Sequence, residues 1–439
     1  MKFIYDCTES DIIEYLKTNT KTVDENKNEY GEVFTPIEII NEILDELPQS
    51  IWLNRDVKWL DPAAGIGNFS AIVYLRLLKS LEWIIPNETE RKRHILKNMI
   101  YMVELNPKNV HTIRRFFGEK TNVSLADFLA NSEKWTRDLG KSEFHVIMGN
   151  PPFQSKKDGV YKGSAGHRTL WDKFITTSFE YLRENGFLAF ITPSGWRRPE
   201  SELYRIMTRD NRLLFLHIYD KTAGLDIFGA ESRFDVYIIQ KGKHSAKTKK
   251  LVDENGKTYR QFDILTWPFL PNFAYDKIRK ILVKPEDGIP IIFDSSMYYA
   301  QKLSETKTAK FKYPVIHGIT QEGLGIRYAD TRDDAHFGVP KVVLNFNERQ
   351  YPYNDFSGTY GMSQLSFGIP IRSKTQGDKW IKAITSPFFE DILRATKWGA
   401  FQTDYRMFRY FDAKFYRRKE IRGTVNNRKA NKKGTRKMV

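Results

Sequence analysis

Residues 144–153, FHVIMGNPPF, carry the strongest indication of the fold. The run 144–149 is almost continuously apolar, which predicts a strand buried on both faces of a sheet. The tetrapeptide at 150–153 follows directly and therefore opens the loop at the carboxyl end of that strand. Open α/β sheets hold their ligands at this edge. We predict an α/β fold whose ligand site includes the tetrapeptide.

The chemistry of the tetrapeptide suits an exocyclic amine on a flat ring. Pro151 and Pro152 restrict φ to about −65° and remove backbone donors, so the loop presents acceptors rigidly. The Asn150 side-chain oxygen and the Pro151 carbonyl can accept the two amine hydrogens, which turns the nitrogen lone pair toward an electrophile. Phe153 can stack on the ring. The alternative is a proline-stiffened turn with a core phenylalanine.

The sequence around this stretch alternates short apolar segments with amphipathic ones, a pattern typical of a mostly parallel sheet. A helix is predicted over 170–182, with Gly186 as its terminator. The polar, basic stretch 241–247 ends the alternation and indicates a domain boundary. The predicted strands are 57–60, 100–103, 122–125, 144–148, 187–192, 214–219 and 236–240.

A glycine-containing segment, DPAAGIGNF at 61–69, follows the first predicted strand and opens a helix. Gly65 and Gly67 allow the backbone to approach a ligand closely at this turn. A plain tight turn between strand and helix explains the same residues. The segment lacks the third glycine of the dinucleotide fingerprint.

Two further strands end in polar residues at the same predicted edge. Glu104 stands where an acid commonly binds ribose hydroxyls. It follows Gly67 by 37 residues, whereas about 20 is usual, so an insertion around 87–97 is expected. Asp127 can accept from an adenine amino group, and Phe128 can pack on the adenine plane. Each acid is also an ordinary polar strand end.

A helix start is predicted upstream of the first strand. Thr35 serves there as the N-cap, Pro36 as the first helical residue and Glu38 as the partner in a capping box. Helix starts bind anions, so a carboxylate can dock on the backbone amides near Thr35. A purely structural cap is the alternative.

The order of these motifs resembles the gamma-class DNA adenine-N6 methyltransferases of restriction-modification systems. The resemblance covers roughly residues 30–240 and includes two later segments, LWDKF at 170–174 and GFLAFITP at 186–193. It implies a Rossmann-like sheet that binds S-adenosylmethionine and transfers its methyl group to N6 of a flipped-out adenine. It implies that Thr35 and Pro36 lie near the methionine carboxylate, that Asp61, Ala63, Gly65 and Gly67 line the methionine part, that Glu104 holds the ribose, and that Asp127 and Phe128 hold the adenine.

The resemblance also implies a C-terminal target-recognition domain of mixed α+β structure. The predicted domains are an N-terminal extension (1–29), the catalytic domain (30–244), the target-recognition domain (245–416) and a disordered basic tail (417–439). The tail has ten Lys or Arg and one acid, so it carries +9 of the net charge of +16. Such a charge favours a polyanionic partner.

Several residues are candidates for contacts with DNA. A flipped base would stack on Phe153 and on a second aromatic ring, Phe234 or Phe228. The segment 154–168 is predicted to be a basic loop beside the site. The candidate DNA-binding residues are Lys156, Lys157, Lys162, Arg168, Arg372, Trp398, Gln402, Arg406 and Arg409; structural roles are the alternative for each.

The composition favours an intracellular, cytoplasmic protein. No apolar segment approaches the roughly 20 residues of a membrane span, and the amino terminus lacks an apolar signal core. Cys7 is the single cysteine, which also disfavours cytosine-C5 methylation because that reaction needs an activated thiolate. We expect a monomer that binds double-stranded DNA, with a companion restriction endonuclease as a second candidate partner, no membrane association and no metal site.

Other functions share the same pocket chemistry. Phe153 stands where DNA enzymes of the family more often carry Tyr, and ribosomal RNA guanine-N2 methyltransferases often use this tetrapeptide. RNA methylation at guanine N2 or adenine N6 is therefore the first alternative, and methylation of a protein glutamine is the second. A bifunctional restriction enzyme is disfavoured because the sequence has no convincing acid-acid-lysine cluster. A DNA-binding module with a vestigial cofactor fold is the non-enzymatic alternative.

Overall fold

The structure is a computed structural model that describes residues 3–19, 34–153, 169–242, 247–298, 302–347, 349–399 and 403–418. The chain divides into two compact units. Unit 1 comprises Met1–Trp196 and Ser201–Trp267, and unit 2 comprises Arg197–Glu200 and Pro268–Val439. Within the ranges just given, no helix combines the length and the apolar character that crossing a membrane requires.

The described part of unit 1 contains a sheet of nine strands in the order β3-β2-β1-β4-β5-β7-β6-β8-β9. The strands β3, β2, β1, β4 and β5 pair in parallel, whereas β7 is antiparallel to both β5 and β6. The predicted mostly parallel α/β sheet is confirmed, as is each strand predicted within it. The bounds are β1 Trp59–Asp61, β2 Ile100–Glu104, β3 Val123–Leu125, β4 Phe144–Gly149, β5 Leu182–Pro193, β6 Arg212–Tyr219, β7 Phe234–Gln240, β8 Thr248–Val252 and β9 Thr258–Phe262.

Amphipathic helices pack on this sheet. In the helix Ile37–Asp45 the apolar side chains recur at helical spacing, and Ile40, Ile43 and Leu44 are fully buried. The helices are α1 Glu9–Asn19, α2 Ile37–Asp45, α3 Gln49–Trp52, α4 Asn68–Ser80, α5 Glu88–His94, α6 Pro107–Phe117, α7 Ser132–Leu139, α8 Trp171–Tyr181, α9 Glu202–Arg205 and α10 Lys221–Phe228. Helix α5 occupies the insertion predicted around 87–97, which accounts for the long spacing between Gly67 and Glu104.

The N-terminal extension contributes to the core of unit 1. Ile12 and Leu16 on α1 are buried in the same apolar cluster as the sheet. The Tyr15 ring stacks on Phe116, with 4.0 Å between ring centroids. The described part of the extension thus packs into the core of unit 1.

The predicted terminator of helix α8 has a different role. The helix ends at Tyr181, and strand β5 begins at the next residue, so Gly186 lies inside the strand. A Cβ at Gly186 would lie 2.8 Å from the Arg183 carbonyl oxygen and 2.9 Å from that of His145. Glycine is therefore required for the close approach of β5 to β4 and does not end the helix.

The domain boundary lies later than predicted. Strands β8 and β9 follow residue 244, yet β8 pairs in parallel with β6 and thereby extends the sheet of unit 1. Unit 1 consequently continues to Trp267, and the short segment Arg197–Glu200 belongs to unit 2. The basic stretch at 241–247 lies in the sequence between β7 and β8, two strands of one sheet, so it is not the domain boundary that its polarity predicts.

Unit 2 has the mixed α+β structure predicted for the second domain. Its described part contains a four-stranded sheet, β10-β12-β11-β15, and a three-stranded sheet, β14-β13-β16. Buried aromatic side chains, among them Phe367, Phe389, Phe408 and Phe411, fill its core. The elements are α11 Tyr275–Arg279, β10 Leu303–Ser304, β11 Tyr313–Thr320, β12 Gly323–Ala329, β13 Lys341–Asn345, β14 Tyr353–Asp355, β15 Gly361–Met362, β16 Ser366–Pro370, α12 Lys374–Ile384 and α13 Pro387–Ala395.

Candidate active site

A cavity in unit 1 lies at the carboxyl ends of β1, β2, β3 and β4. From β1 the sheet continues to β2 and β3 on one side, and from β4 it continues to β5 on the other side. The order of the strands therefore reverses between β1 and β4, and open α/β sheets bind ligands in the crevice at such a point. Asn150 and the glycine turn at Gly65 line the same cavity, as the sequence predicts. The predicted residues in its wall are Thr35, Asp61, Ala63, Gly65, Glu104, Asp127, Phe128, Asn150 and Pro152.

The two glycines of the turn after β1 have different environments. Both have positive φ, +56° at Gly65 and +90° at Gly67, a region that favours glycine. A Cβ at Gly65 would have no other atom within 4 Å, and this residue faces the cavity. A Cβ at Gly67 would lie 2.7 Å from Cε2 of Phe117. Gly65 is thus open to a ligand, whereas Gly67 is required by packing on α6.

Glu104 joins the glycine turn to the end of β2. Its Oε2 accepts a hydrogen bond from the backbone N–H of Gly65 at 2.7 Å, and its Oε1 accepts one from the N–H of Asn106 at 2.7 Å. The side chain is buried and lines the cavity. The carboxylate therefore organises the turn and also presents a negative charge to the cavity.

Asp61, the last residue of β1, is the most deeply buried acid of the cavity. Its Oδ1 accepts a hydrogen bond from the Ala63 N–H at 3.2 Å. Burial raises the pKa of Asp61 to about 8, although the Ala63 hydrogen bond opposes the rise and the Glu104 charge adds to it. The strand β4 approaches closely here, since a Cβ at Gly149 would lie 3.0 Å from Oδ1 of Asp61.

The loop after β3 brings Asp127 and Phe128 to the cavity. Oδ1 of Asp127 accepts hydrogen bonds from the N–H groups of Leu129, at 2.8 Å, and Ala130, at 3.2 Å. Phe128 is buried in an aromatic cluster, where its ring stacks on Trp135 and on Phe174, with centroid distances of 5.2 and 5.5 Å. Phe174 also lines the cavity. The loop therefore adds an aromatic wall and one carboxylate.

The tetrapeptide loop begins at Asn150, directly after β4. The Asn150 Nδ2 group donates a hydrogen bond to Oγ1 of Thr35 at 3.2 Å. The other amide atom, Oδ1, is buried and has no hydrogen-bond partner. Pro151 is buried, Pro152 lines the cavity, and Phe153 is half-buried with its ring edge-on to Phe228 at 6.5 Å. A buried acceptor without a donor is costly, so this oxygen is available to a ligand donor.

The predicted capping role of Thr35 is wrong. Helix α2 begins at Ile37 with Pro36 as its N-cap, and no side chain caps it. The Pro36 carbonyl accepts from Ile39 and Ile40 at the first turn. The Thr35 hydroxyl instead contacts Asn150, which lies 115 residues away in the sequence.

Asn68, the first residue of α4, is a cavity residue that sequence reasoning missed. Its side chain is buried, and Oδ1 lacks a hydrogen-bond partner. It lines the same cavity as Asn150. Its place directly after Gly67 was a signal, because a polar side chain at the start of a buried helix requires an explanation.

Phe234 does not lie where a base would stack on it. Its ring is fully buried in the core of unit 1. It stacks on Tyr219 at 4.6 Å and meets Phe228 edge-on at 4.8 Å. Side chains alternate between the two faces along strand β7, and the Phe234 side chain points into the core. Phe228 is the aromatic residue next to Phe153.

The outcome differs among the residues predicted to bind DNA. Lys156, Lys157, Lys162, Arg168 and Gln402 lie outside the described residues. Trp398 is buried, and its indole N–H donates to the Leu270 carbonyl at 2.6 Å, so it serves packing within unit 2. Arg406 pairs with Asp404, and Arg409 lies 3.7 Å from Glu200. Arg372 is exposed.

Arg372 lies in a groove of unit 2 that carries several positive charges. We define the basic groove by Arg372, Lys379, Lys382 and Arg417, all of which are exposed and line the same depression. Within the described part of unit 2, no acidic side chain lines it. Lys379 and Lys382 are three residues apart on α12 and therefore lie on one face of the helix. Sequence reasoning missed these two lysines. It placed Arg417 in the disordered basic tail, whereas Arg417 ends a 3-10 turn at Phe415–Arg417; residues 419–439 of that tail lie outside the described residues.

Comparisons with known proteins find similarity to restriction-modification proteins. Residues 70–228 match the family model described as Eco57I restriction-modification methylase. The chain is 25% identical over 261 residues to an uncharacterized adenine-specific methylase of Mycoplasma pneumoniae, a match that covers 43% of this chain and 58% of that relative. The chain thus spans little more than half the length of this curated relative.

Two solved structures are similar over most of the chain. The type IIL restriction-modification enzyme MmeI, in complex with DNA, has a TM-score of 0.52 at 12% identity, covering 91% of this chain and 70% of MmeI. The DrdV–DNA complex has a TM-score of 0.50 at 12% identity, covering 83% of this chain and 52% of DrdV. These likenesses support the predicted α/β fold and carry no information on activity.

Proposed function

We propose that the protein is a site-specific DNA methyltransferase that transfers a methyl group from S-adenosylmethionine to N6 of a flipped-out adenine. One observation carries the proposal. The buried Oδ1 of Asn150 has no donor, and it lines the same cavity as the glycine turn at Gly65. The family match and the relative described as adenine-specific support the choice of adenine.

The cavity residues fit S-adenosylmethionine. This cofactor carries a sulfonium and an ammonium, and the Glu104 carboxylate suits a cationic ligand in a buried setting. A bound cation would also favour the ionised form of Asp61 and so lower its raised pKa. The unpartnered Oδ1 of Asn68 suits an N–H or O–H donor, and the open space at Gly65 allows close approach to the backbone. When bound, the cofactor supplies the sulfonium methyl group as the electrophile. The other assignments that the resemblance implies belong to the same proposal. Thr35 and Pro36 would lie near the methionine carboxylate, Ala63 and Gly67 would line the methionine part, and Asp127 and Phe128 would hold the adenine.

The residues of this chain contribute to the reaction by position and electrostatics. Asn150 Oδ1 and the Pro151 carbonyl accept hydrogen bonds from the amine, which directs its lone pair at the methyl group. Pro152 keeps the loop rigid. A protein nucleophile is not required, since the amine itself attacks. As the amine nitrogen gains the methyl group, the bond from that carbon to sulfur breaks, its electron pair stays on the sulfur of the departing thioether, and the nitrogen releases one proton to water.

Phe153 is proposed to stack on the flipped base. The ring is half-buried at the end of the tetrapeptide, and Phe228 supports it edge-on. Flipping costs a few kcal/mol, and stacking of a base on an aromatic side chain returns roughly 1–3 kcal/mol. Phe153→Ala should therefore weaken binding of the target base more than binding of the cofactor.

Unit 2 is proposed to recognise double-stranded DNA. The basic groove offers four exposed positive charges without an acid in its described wall. Positive charges attract the phosphate backbone irrespective of sequence, so the groove fits backbone contacts better than base recognition. The two solved neighbours described above are complexes with DNA. A companion restriction endonuclease and a monomeric state are part of the same proposal.

The experiment that tests this function measures methyl incorporation from labelled S-adenosylmethionine into DNA, RNA and protein. We expect label in DNA only, recovered as N6-methyladenine, and sequencing of the product then gives the recognition site. Label confined to RNA or to a protein glutamine contradicts the proposal.

A matched pair of asparagine variants tests the site itself. Asn150→Ala should lower the methylation rate at least about 100-fold, since removing one aligned hydrogen-bond group at a reacting centre has effects of this size. Binding of the cofactor should persist. Asn98→Ala, at an exposed asparagine on the N-terminal side of β2, should retain the wild-type rate. Loss of cofactor binding in Asn150→Ala would contradict the assignment of Asn150.

A further inference from the structure

We infer that Thr35 is a positioning residue for Asn150, in addition to any contact of its backbone with the cofactor. The inference deepens the proposed function and rests on it. Its basis is the hydrogen bond from Asn150 Nδ2 to Thr35 Oγ1 at 3.2 Å.

The position of Thr35 just before a helix suggests a capping role, which its hydroxyl does not have. Thr35 is 4% exposed and stands just before helix α2, but it does not cap that helix. Its oxygen accepts from the amide that opens the tetrapeptide loop. The segment before α2 and the loop after β4 are thus joined by one side-chain contact at the cavity.

In this contact the NH₂ end of the amide donates to Thr35, and the oxygen end is the one left for a ligand. An asparagine amide presents either an acceptor oxygen or a donor NH₂ group, depending on its rotation about the last side-chain bond. With Nδ2 held by Thr35, the buried Oδ1 is left to the cavity without a partner. The hydrogens of an amine need an acceptor such as Oδ1. If the amide were rotated, its NH₂ group would face those hydrogens, and two donors do not form a hydrogen bond.

The contact also limits the motion of the reacting group. Asn150 is half-buried, and no other hydrogen bond to its side chain is present in the described residues. Catalysis by aligned hydrogen-bond groups depends on their being held in place before the reaction. Loss of the Thr35 oxygen would let the amide rotate and would leave both of its ends unpaired.

The test compares Thr35→Val with Thr35→Ser. Valine has nearly the same shape but no acceptor, and serine keeps the oxygen. At saturating DNA and cofactor, we expect the single-turnover methylation rate to fall about 10-fold in Thr35→Val, the equivalent of one hydrogen bond. The cofactor Kd should change less than about 2-fold, and Thr35→Ser should recover most of the rate. Equal thermal melting temperatures control for folding.

Two outcomes would overturn the inference. If Thr35→Val raises the cofactor Kd but keeps the wild-type rate at saturation, the hydroxyl serves the cofactor. If Thr35→Ser is as slow as Thr35→Val, the methyl group and packing matter rather than the oxygen.

A readout that does not require turnover separates this inference from the proposed function. Protein labelled with ¹⁵N at asparagine side chains gives an NH₂ signal for Asn150, which the Asn150→Ala variant identifies. We expect slow hydrogen exchange at this NH₂ group in the wild type and fast exchange in Thr35→Val. Equal exchange in both refutes the contact, whereas a wild-type protein that methylates no DNA refutes the proposed function whatever the exchange result.

Discussion

Replacing Asp61 by asparagine should stabilise the protein near neutral pH. Asp61 is 2% exposed, and burial raises its pKa to about 8 from an ordinary 3.8. Between these values the folded protein retains a proton that the unfolded chain has released. The free energy of unfolding therefore falls as pH rises through the window from about 4 to about 8. Asparagine, which does not titrate, removes this penalty.

The size of the effect follows from the shift. Each pKa unit corresponds to about 1.36 kcal/mol, so the ceiling at pH 7.5 is about 5 kcal/mol. Asp61 lines a cavity that water can enter, and water lowers the cost of the charge, so we expect a gain of about 2 kcal/mol at pH 7.5. Near pH 4 both chains carry a neutral group at this position, and the gain should vanish.

Urea unfolding of the cofactor-free protein at pH 4.5, 6, 7.5 and 8.5 measures this dependence. The difference between Asp61→Asn and wild type should grow with pH up to about 8. The exposed Asp226→Asn change on α10 serves as the control and should leave the wild-type pH dependence unaltered. The reasoning fails if the Asp61→Asn variant gains the same stability at pH 4.5 and 7.5, or loses stability at every pH.

Two further predictions use matched positions. Gly65→Ala should weaken cofactor binding and cost only about 1–2 kcal/mol of stability, which comes from its positive φ. Gly67→Ala should lower the melting temperature more, because its Cβ would lie 2.7 Å from Phe117. Calorimetry measures cofactor binding and melting temperature, and equal effects of the two variants on stability would contradict the distinction. Removing Lys379 and Lys382 together should reduce the slope of log affinity for DNA against log salt by about 2, at about 0.9 per lost phosphate contact, without changing the rate at saturating DNA.

The control for the lysine pair lies elsewhere in unit 2. Lys307 and Lys310 are exposed and outside the basic groove, so their joint replacement by alanine removes the same charge. It should change the salt slope less than the Lys379 and Lys382 pair does. An equal change in both pairs would mean that net charge, rather than the groove, attracts DNA.

The sheet and the position of the site could be predicted from local sequence patterns. A short, continuously apolar run such as 144–149 is typical of a strand in a sheet that is covered on both faces. The carboxyl ends of parallel strands meet at one edge, so Asp61, Glu104, Asp127 and Asn150 could be placed around one cavity from their positions after strands. These are local patterns, and a single sequence contains them.

The contacts of individual side chains depend on how the whole chain folds. Thr35 and Asn150 are 115 residues apart, and neither the periodicity nor the motif around each residue specifies their contact. The same holds for Gly67 against Phe117, for the burial of Phe234 beneath Tyr219, and for the addition of β8 to the edge of the sheet. Such pairings depend on which surfaces meet after the chain has folded, because packing and hydrogen bonds form between neighbours in space irrespective of their separation in sequence.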